Sequence, residues 1–277
     1  MSILLIGATL GNISGYIIAA SLQDNIGWRW SFYVQSIMLG VCILCFSFIP
    51  NDIKNLRKTT PRINAYQNKP VTEKVSLKKG MQIVMRNGGF MRMGMSITLL
   101  YFVLTGIQFW FTDFLISVMK MEKSSVFVTY GVVSISGPVF GVITGGQVSS
   151  KLGGYNNPKS IKLTALLAII ATIVAVPIPY LGYDFVWLQI TFLWLMLFCG
   201  GMILPAIMGV MLNSVSENLK TTANSIANSS FNLFGFLPAP YVYGLIADSG
   251  EVIGGNKLLA MKINMTLPAL FALLITW

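Results

Sequence analysis

The side chains able to do chemistry are few, and they fall on two segments. Tyr101, Thr105, Gln108 and Thr112 recur at spacings of four, three and four, which puts them on one face of a helix. Asp113 adjoins that face. A second set, Thr221, Ser225, Asn228, Asn232 and Gly235 with Asn224 beside them, lines one face further along the chain. Both segments are otherwise apolar. An unpaired amide or hydroxyl in hydrocarbon is costly, so these groups must meet protein or a wet cavity. Two readings stand for the amides: hydrogen bonds between helices, or a cavity wall that takes the polar end of a solute. Asp113 is a site carboxylate by the same logic, or an interfacial one. It lies 21 residues after Arg92, about 31 Å of helix, near a membrane boundary.

Catalysis and metal binding have no comparable support. The chain has no histidine, the commonest general base and metal ligand. Cys42, Cys45 and Cys199 lie inside apolar runs. Cys42 and Cys45 form a CxxC, but no second cysteine pair or histidine completes a zinc site. There are no paired carboxylates and no nucleophile with a base beside it. No catalytic residue, metal or cofactor is expected.

The elements that must position the polar faces are set by composition. Of 277 residues, 55% are hydrophobic and 10% charged, with a mean hydropathy of +0.71. That is too little charge to cover the surface of a soluble domain. The net charge of +10 would point to nucleic acid in a soluble protein. Here the charges fall between apolar runs, and no nucleic-acid partner is expected. Uncharged runs cover Met1–Gln23, Trp30–Asn51, Met93–Thr112, Ser124–Ser150, Leu163–Tyr183, Phe185–Ser216, Thr221–Ala247 and Ile263–Trp277. Seven reach the roughly 20 residues that cross a bilayer. The eighth has 15 residues, about 22 Å of helix, and reads as a span cut short. Met1 opens directly into an apolar run without the basic region of a secretory signal. The expectation is an all-α polytopic membrane protein of about eight helices, a piece of a larger protein or a truncated gene product. Which membrane holds it is open.

Alternating the runs across a bilayer puts 14 of the 19 Lys and Arg residues on one side, from Lys54 through Arg92, Lys151 to Lys162, and Lys220. Arg29, Lys120, Lys123, Lys257 and Lys262 fall on the other. By the positive-inside rule the richer side is cytoplasmic. The chain then divides into 1–50 (two helices), 51–89 (a basic cytoplasmic linker) and 90–277 (a six-helix bundle, incomplete at its end). Within the linker, Ser76–Asn87 has the pattern of a short amphipathic helix, with Leu77, Ile83 and Val84 apolar and Lys78, Lys79 and Arg86 basic.

Two runs carry doubled GxxxG motifs: Gly7, Gly11 and Gly15, and Gly137, Gly141 and Gly145. Glycines four apart share a face and admit a close neighbour helix. They serve packing within a bundle, or a surface where two halves of a carrier slide. Pro205, Pro238 and Pro240 free backbone carbonyls and bend their helices. Asn12-Ile13-Ser14, Asn228-Ser229-Ser230 and Asn264-Met265-Thr266 match glycosylation sequons but lie in or against the membrane.

Gly7-Ala8-Thr9-Leu10-Gly11-Asn12-Ile13-Ser14-Gly15, then Gly27-Trp28-Arg29-Trp30 and Ser31-Phe32-Tyr33, resemble the fifth helix and following turn of a major facilitator superfamily transporter. Gly145-Gly146-Gln147 and Lys151-Leu152-Gly153-Gly154 resemble the loop between that family's helices eight and nine. Gln147 and Ser150 stand where the family usually has an acid. Ala223-Asn224-Ser225 through Phe234-Gly235-Phe236-Leu237-Pro238-Ala239-Pro240, ending Gly244-Leu245-Ile246-Ala247-Asp248, is similar to helix eleven of the Spinster-like branch.

The resemblance implies a partial major facilitator fold, helices five to twelve. The two glycine faces then meet across the two halves. It implies a secondary transporter working by alternating access, with a site between the halves near the midplane. The implied substrate is an amphipathic lipid such as a lysophospholipid or a sphingoid phosphate, with protons as an optional coupling ion. Sugars or organic anions remain an alternative cargo. A receptor, scaffold or fragment without transport remains another. The substrate-contacting set is Tyr101, Thr105, Gln108, Asp113, Asn224, Asn228 and Asn232.

Overall fold

The computed structural model describes residues 29–48, 76–153, 157–248 and 255–276, with isolated positions such as Gly7, Gly11 and Gly15, which are helical. One compact unit spans Gly11–Val75 and another includes Ser76–Trp277. In the first, α1 (Arg29–Ser47) is a 19-residue helix whose Ile37, Leu39 and Leu44 are exposed. Residues 51–75 of the expected linker lie outside the described residues.

The second unit is a helical bundle. Helix α2 (Leu77–Arg86) is followed by α3 (Gly88–Ser117), α4 (Lys123–Lys151), α5 (Pro158–Ala175) and α6 (Val186–Asn213). Then come α7 (Lys220–Ser230), a π-helical stretch Phe231–Phe236, α8 (Pro238–Asp248) and α9 (Gly255–Thr276). Local chemistry sets the boundaries. Asn87 has extended geometry, and its Oδ1 accepts from Phe90 N at 3.1 Å, an N-cap that separates α2 from α3. Asn157 caps α5, with Pro158 in the first turn where a missing N–H costs nothing.

Helix α2 belongs to the bundle. Val84 is fully buried in a cluster with Met211, Leu219, Ala223 and Ala227. Asn87 Nδ2 also donates to Ser214 O at 2.7 Å, pinning the α2–α3 joint to the end of α6. The larger unit, Met1–Leu10 with Ser76–Trp277, includes α2.

Among the described residues, five helical stretches are long and apolar enough to cross a membrane: Arg29–Ser47, Gly88–Ser117, Lys123–Lys151, Lys159–Tyr180 and Tyr183–Asn213. The last run differs from expectation. α9 starts at Gly255, ahead of Ile263, and its 22 residues reach about 33 Å. The run looked short because Lys257 and Lys262 interrupt it. Both are accommodated in the helix: Lys257 pairs with Asp113, and Lys262 lies 4.6 Å from the Tyr180 ring centroid.

Glycines set the tightest seams. A Cβ on Gly141 would strike the Phe198 carbonyl and come within 3.0 Å of Gly201 Cα. One on Gly145 would lie 2.5 Å from Met202 O. One on Gly137 would lie 3.1 Å from Leu197 Cβ. The second glycine face is thus filled by α6 of the same bundle. In return, Gly201 approaches Pro138 O to 2.7 Å by the same measure. Pro138 and Pro205 both lie inside unbroken helices.

Candidate functional site

The run Thr221–Ala247 is the element that holds the amides, and it is not one uniform helix. Pro238 has no N–H to give, and the turn ahead of it widens to the π form, with Leu237 N donating to Asn232 O at 3.0 Å. The extra residue rotates the rest of the segment. On a continuous α-helix Gly235 would share the face of Asn228 and Asn232. Instead it is buried, and a Cβ there would sit 2.5 Å from Thr98 O of α3. Gly235 therefore leaves the expected polar face and lets this segment approach α3 closely. Pro240, the second expected bend, lies in α8 and offers its carbonyl to Trp110 Nε1 at 3.2 Å.

The amides themselves form a ladder on the exposed side of α7 and the start of the π-helical stretch. Asn228 Nδ2 donates to Asn224 O at 2.7 Å and lies 3.2 Å from Asn224 Oδ1. Asn232 Nδ2 donates to Asn228 O at 2.8 Å. The donors of Asn228 and Asn232 thus serve their own helix, and the Oδ1 atoms of Asn228 and Asn232 are left to accept from outside it. Ser225 likewise bonds back to Thr221 O at 3.1 Å.

The α3 face is divided by packing. Tyr101 stacks on Phe231, with ring centroids 4.4 Å apart and planes at 8°. Thr105 is fully buried, and its hydroxyl donates to Tyr101 O at 2.7 Å. It therefore presents no group to a solute in this conformation, against the expectation from spacing. Gln108 and Thr112 are half-buried. No hydrogen bond joins Gln108 or Thr105 to Asn228 or Asn232 among the described residues.

Asp113 is neither isolated nor plainly solvated. Its Oδ2 lies 2.8 Å from Lys257 Nζ of α9. Beside the pair, Trp110 stacks on Tyr243 at 4.9 Å and 16°, and Tyr243 Oη donates to Lys257 O at 3.2 Å. Asp113, Trp110, Tyr243 and Lys257 thus bind α3, α8 and α9 together at one end of the bundle. Lys257 is 144 residues from Asp113, and no spacing rule links the two. Sequence reasoning also missed Asn264. It is buried, donates to Val103 O at 3.3 Å, and lies against Gly106, where a Cβ would be 2.7 Å from Oδ1. This burial removes Asn264 as a glycan acceptor. Among the described residues no group of His, Cys, Asp or Glu side chains could hold a metal.

A crevice of about 940 Å³ opens between α3 and α7, on the opposite flank of their contact from the amide ladder. Met91, Met95, Phe102, Ile226 and Phe234 line it, with Met85 of α2 and Arg92 at one end.

The protein is an integral, multi-pass membrane protein, by its five long apolar helices and its family. Residues 1–239 match the model of the Major Facilitator Superfamily. The chain is also 24% identical over 257 residues to Protein spinster homolog 3 of Danio rerio, an alignment covering 87% of this chain and 49% of that one. It spans about half the length of that curated relative. An apolar helical bundle with glycine seams and an amide ladder, matched over most of its length by one family, belongs to a transporter fold, and the chain is a member of the Major Facilitator Superfamily.

Proposed function

We propose that the protein is a secondary transporter that moves an amphipathic, lysophospholipid- or sphingolipid-like solute by alternating access. Asn224, Asn228 and Asn232 would meet its polar end, with Gln108 and Tyr101 on the neighbouring wall. The amide ladder carries this reading. Three amides on the exposed side of a helix in an apolar bundle cannot face lipid without cost. The Nδ2 groups of Asn228 and Asn232 donate to their own helix, and no hydrogen bond joins either amide to another helix among the described residues. Amide oxygens without a partner suit a solute that brings hydroxyl or ammonium donors, or a phosphate joined through a water that donates to both. The lipid class rests on the resemblance of residues 223–248 to helix eleven of the Spinster-like branch.

Asn232→Ala in the full-length protein tests this. The expected outcome is substrate affinity lowered roughly tenfold, the scale of one hydrogen bond to a charged or strongly polar group, with the melting temperature held. A large melting loss with unchanged affinity would reject the site. Uptake of a labelled lysophospholipid into proteoliposomes, set against a labelled sugar and a labelled organic anion, decides the cargo. No uptake of any of them would favour a receptor or scaffold.

A further inference from the structure

We infer that the crevice between α3 and α7 holds one acyl chain of an anionic phospholipid of the inner leaflet, with its phosphate at a basic mouth formed by Arg92 and α2. This is a site for a resident membrane lipid, apart from the amide ladder, and it does not rest on the transport reading.

The lining fits an acyl chain. Met, Phe, Leu and Ile side chains make most of the wall, and Arg92 is its one charged residue. Thr98 lines it too, but its hydroxyl is spent on Gly94 O at 2.9 Å. The depth fits one leaflet. Arg92 and Phe102 are ten residues apart on α3, about 15 Å along the axis, which is half of a bilayer core of about 30 Å. The headgroup end is basic. Lys78, Lys79, Gln82 and Arg86 share one exposed face of α2, opposite the buried Gly80 and Val84. No acidic partner meets Lys78, Lys79, Arg86 or Arg92 among the described residues. Met85 of the same short helix forms part of the crevice wall, so the cations sit beside its opening. With this end cytoplasmic by the distribution of Lys and Arg, the adjacent leaflet is the anionic one.

The test uses the full-length protein in phosphatidylcholine vesicles with a small share of phosphatidylglycerol carrying a photoreactive acyl chain. Labelled peptides are mapped by mass spectrometry. Labels are expected on Met91, Met95 or Phe234. Gly94→Leu should abolish them. A Cβ at Gly94 meets nothing within 4 Å, so the larger side chain enters the crevice without disturbing the fold. Arg92→Gln should weaken labelling about fivefold, the effect of one cation at an anionic surface. A photoreactive phosphatidylcholine should label the same residues several-fold less. Equal labelling by the two lipids, or equal labelling in Gly94→Leu, would overturn the assignment. So would absence of crevice labels in the unaltered protein, including the case in which a cysteine at Met95 cross-links to another segment of the chain. Melting curves of both variants, unchanged, would exclude misfolding as the cause of a loss.

Discussion

At the scale of single residues, Asp113 and Lys257 form an ion pair, Oδ2 to Nζ 2.8 Å, that joins α3 to α9. Asp113 stood out because a carboxylate among apolar residues is rare. Its partner Lys257 did not, because a lysine near a helix end reads as a boundary marker. Both ends of the pair are about one third exposed. For a partly exposed pair of this kind, a double-mutant cycle on Asp113→Asn and Lys257→Gln should give a coupling of about 0.5 kcal/mol. Coupling indistinguishable from zero would make the pair incidental. Asn264 is a different case. It is buried over Gly106, so Asn264→Ala should cost about 1–3 kcal/mol through a lost hydrogen bond and an opened gap. The same burial predicts no glycosidase-sensitive mass at this position.

At the scale of elements, neighbouring glycines separate cleanly. Gly200 and Gly201 are adjacent in α6. A Cβ on Gly200 meets nothing within 4 Å, while one on Gly201 would lie 2.7 Å from Pro138 O. Gly200→Ala should leave stability unchanged or raise it by up to about 1 kcal/mol, since glycine is a poor helix residue. Gly201→Ala should lower it by about 1–3 kcal/mol through overpacking of the α4–α6 seam. Thermal melts in one detergent compare the two. Equal shifts would contradict the seam. Gly141→Leu should likewise impair folding first, because its face is already filled by Phe198, Gly201 and Met202. This differs from a face reserved for sliding, where transport would fail before stability. The amphipathic helix expected at Ser76–Asn87 is present as α2. Its docking through Val84 was not readable, because Ile83 and Val84 are equally apolar and only the bundle decides which of them is covered.

At the scale of the whole molecule, the orientation drawn from Lys and Arg is open to a direct measurement. A cysteine at Asn68 should be shielded from an impermeant maleimide in intact cells, and one at Ser124 should react. The reverse pattern would invert the molecule. By itself the sequence determined the class of solvent, the five long apolar stretches among the described residues, and the two polar segments. A bilayer imposes length and polarity on each helix separately, so one segment at a time carries that information. Its family membership was legible for the same reason, in glycines and prolines that each helix needs locally. Tertiary structure alone decided that the second glycine face closes on α6, that Thr105 is sealed, that Asp113 meets Lys257, and that Gly235 turns from the amides toward α3. Those outcomes depend on the rotation and register of one helix against another. In lipid, hydropathy does not mark which face meets protein, because hydrocarbon chains are as apolar as the side chains they touch. The π turn before Pro238 adds a rotation that a fixed helical period cannot anticipate, and it places the last residue of the expected polar face inside the bundle.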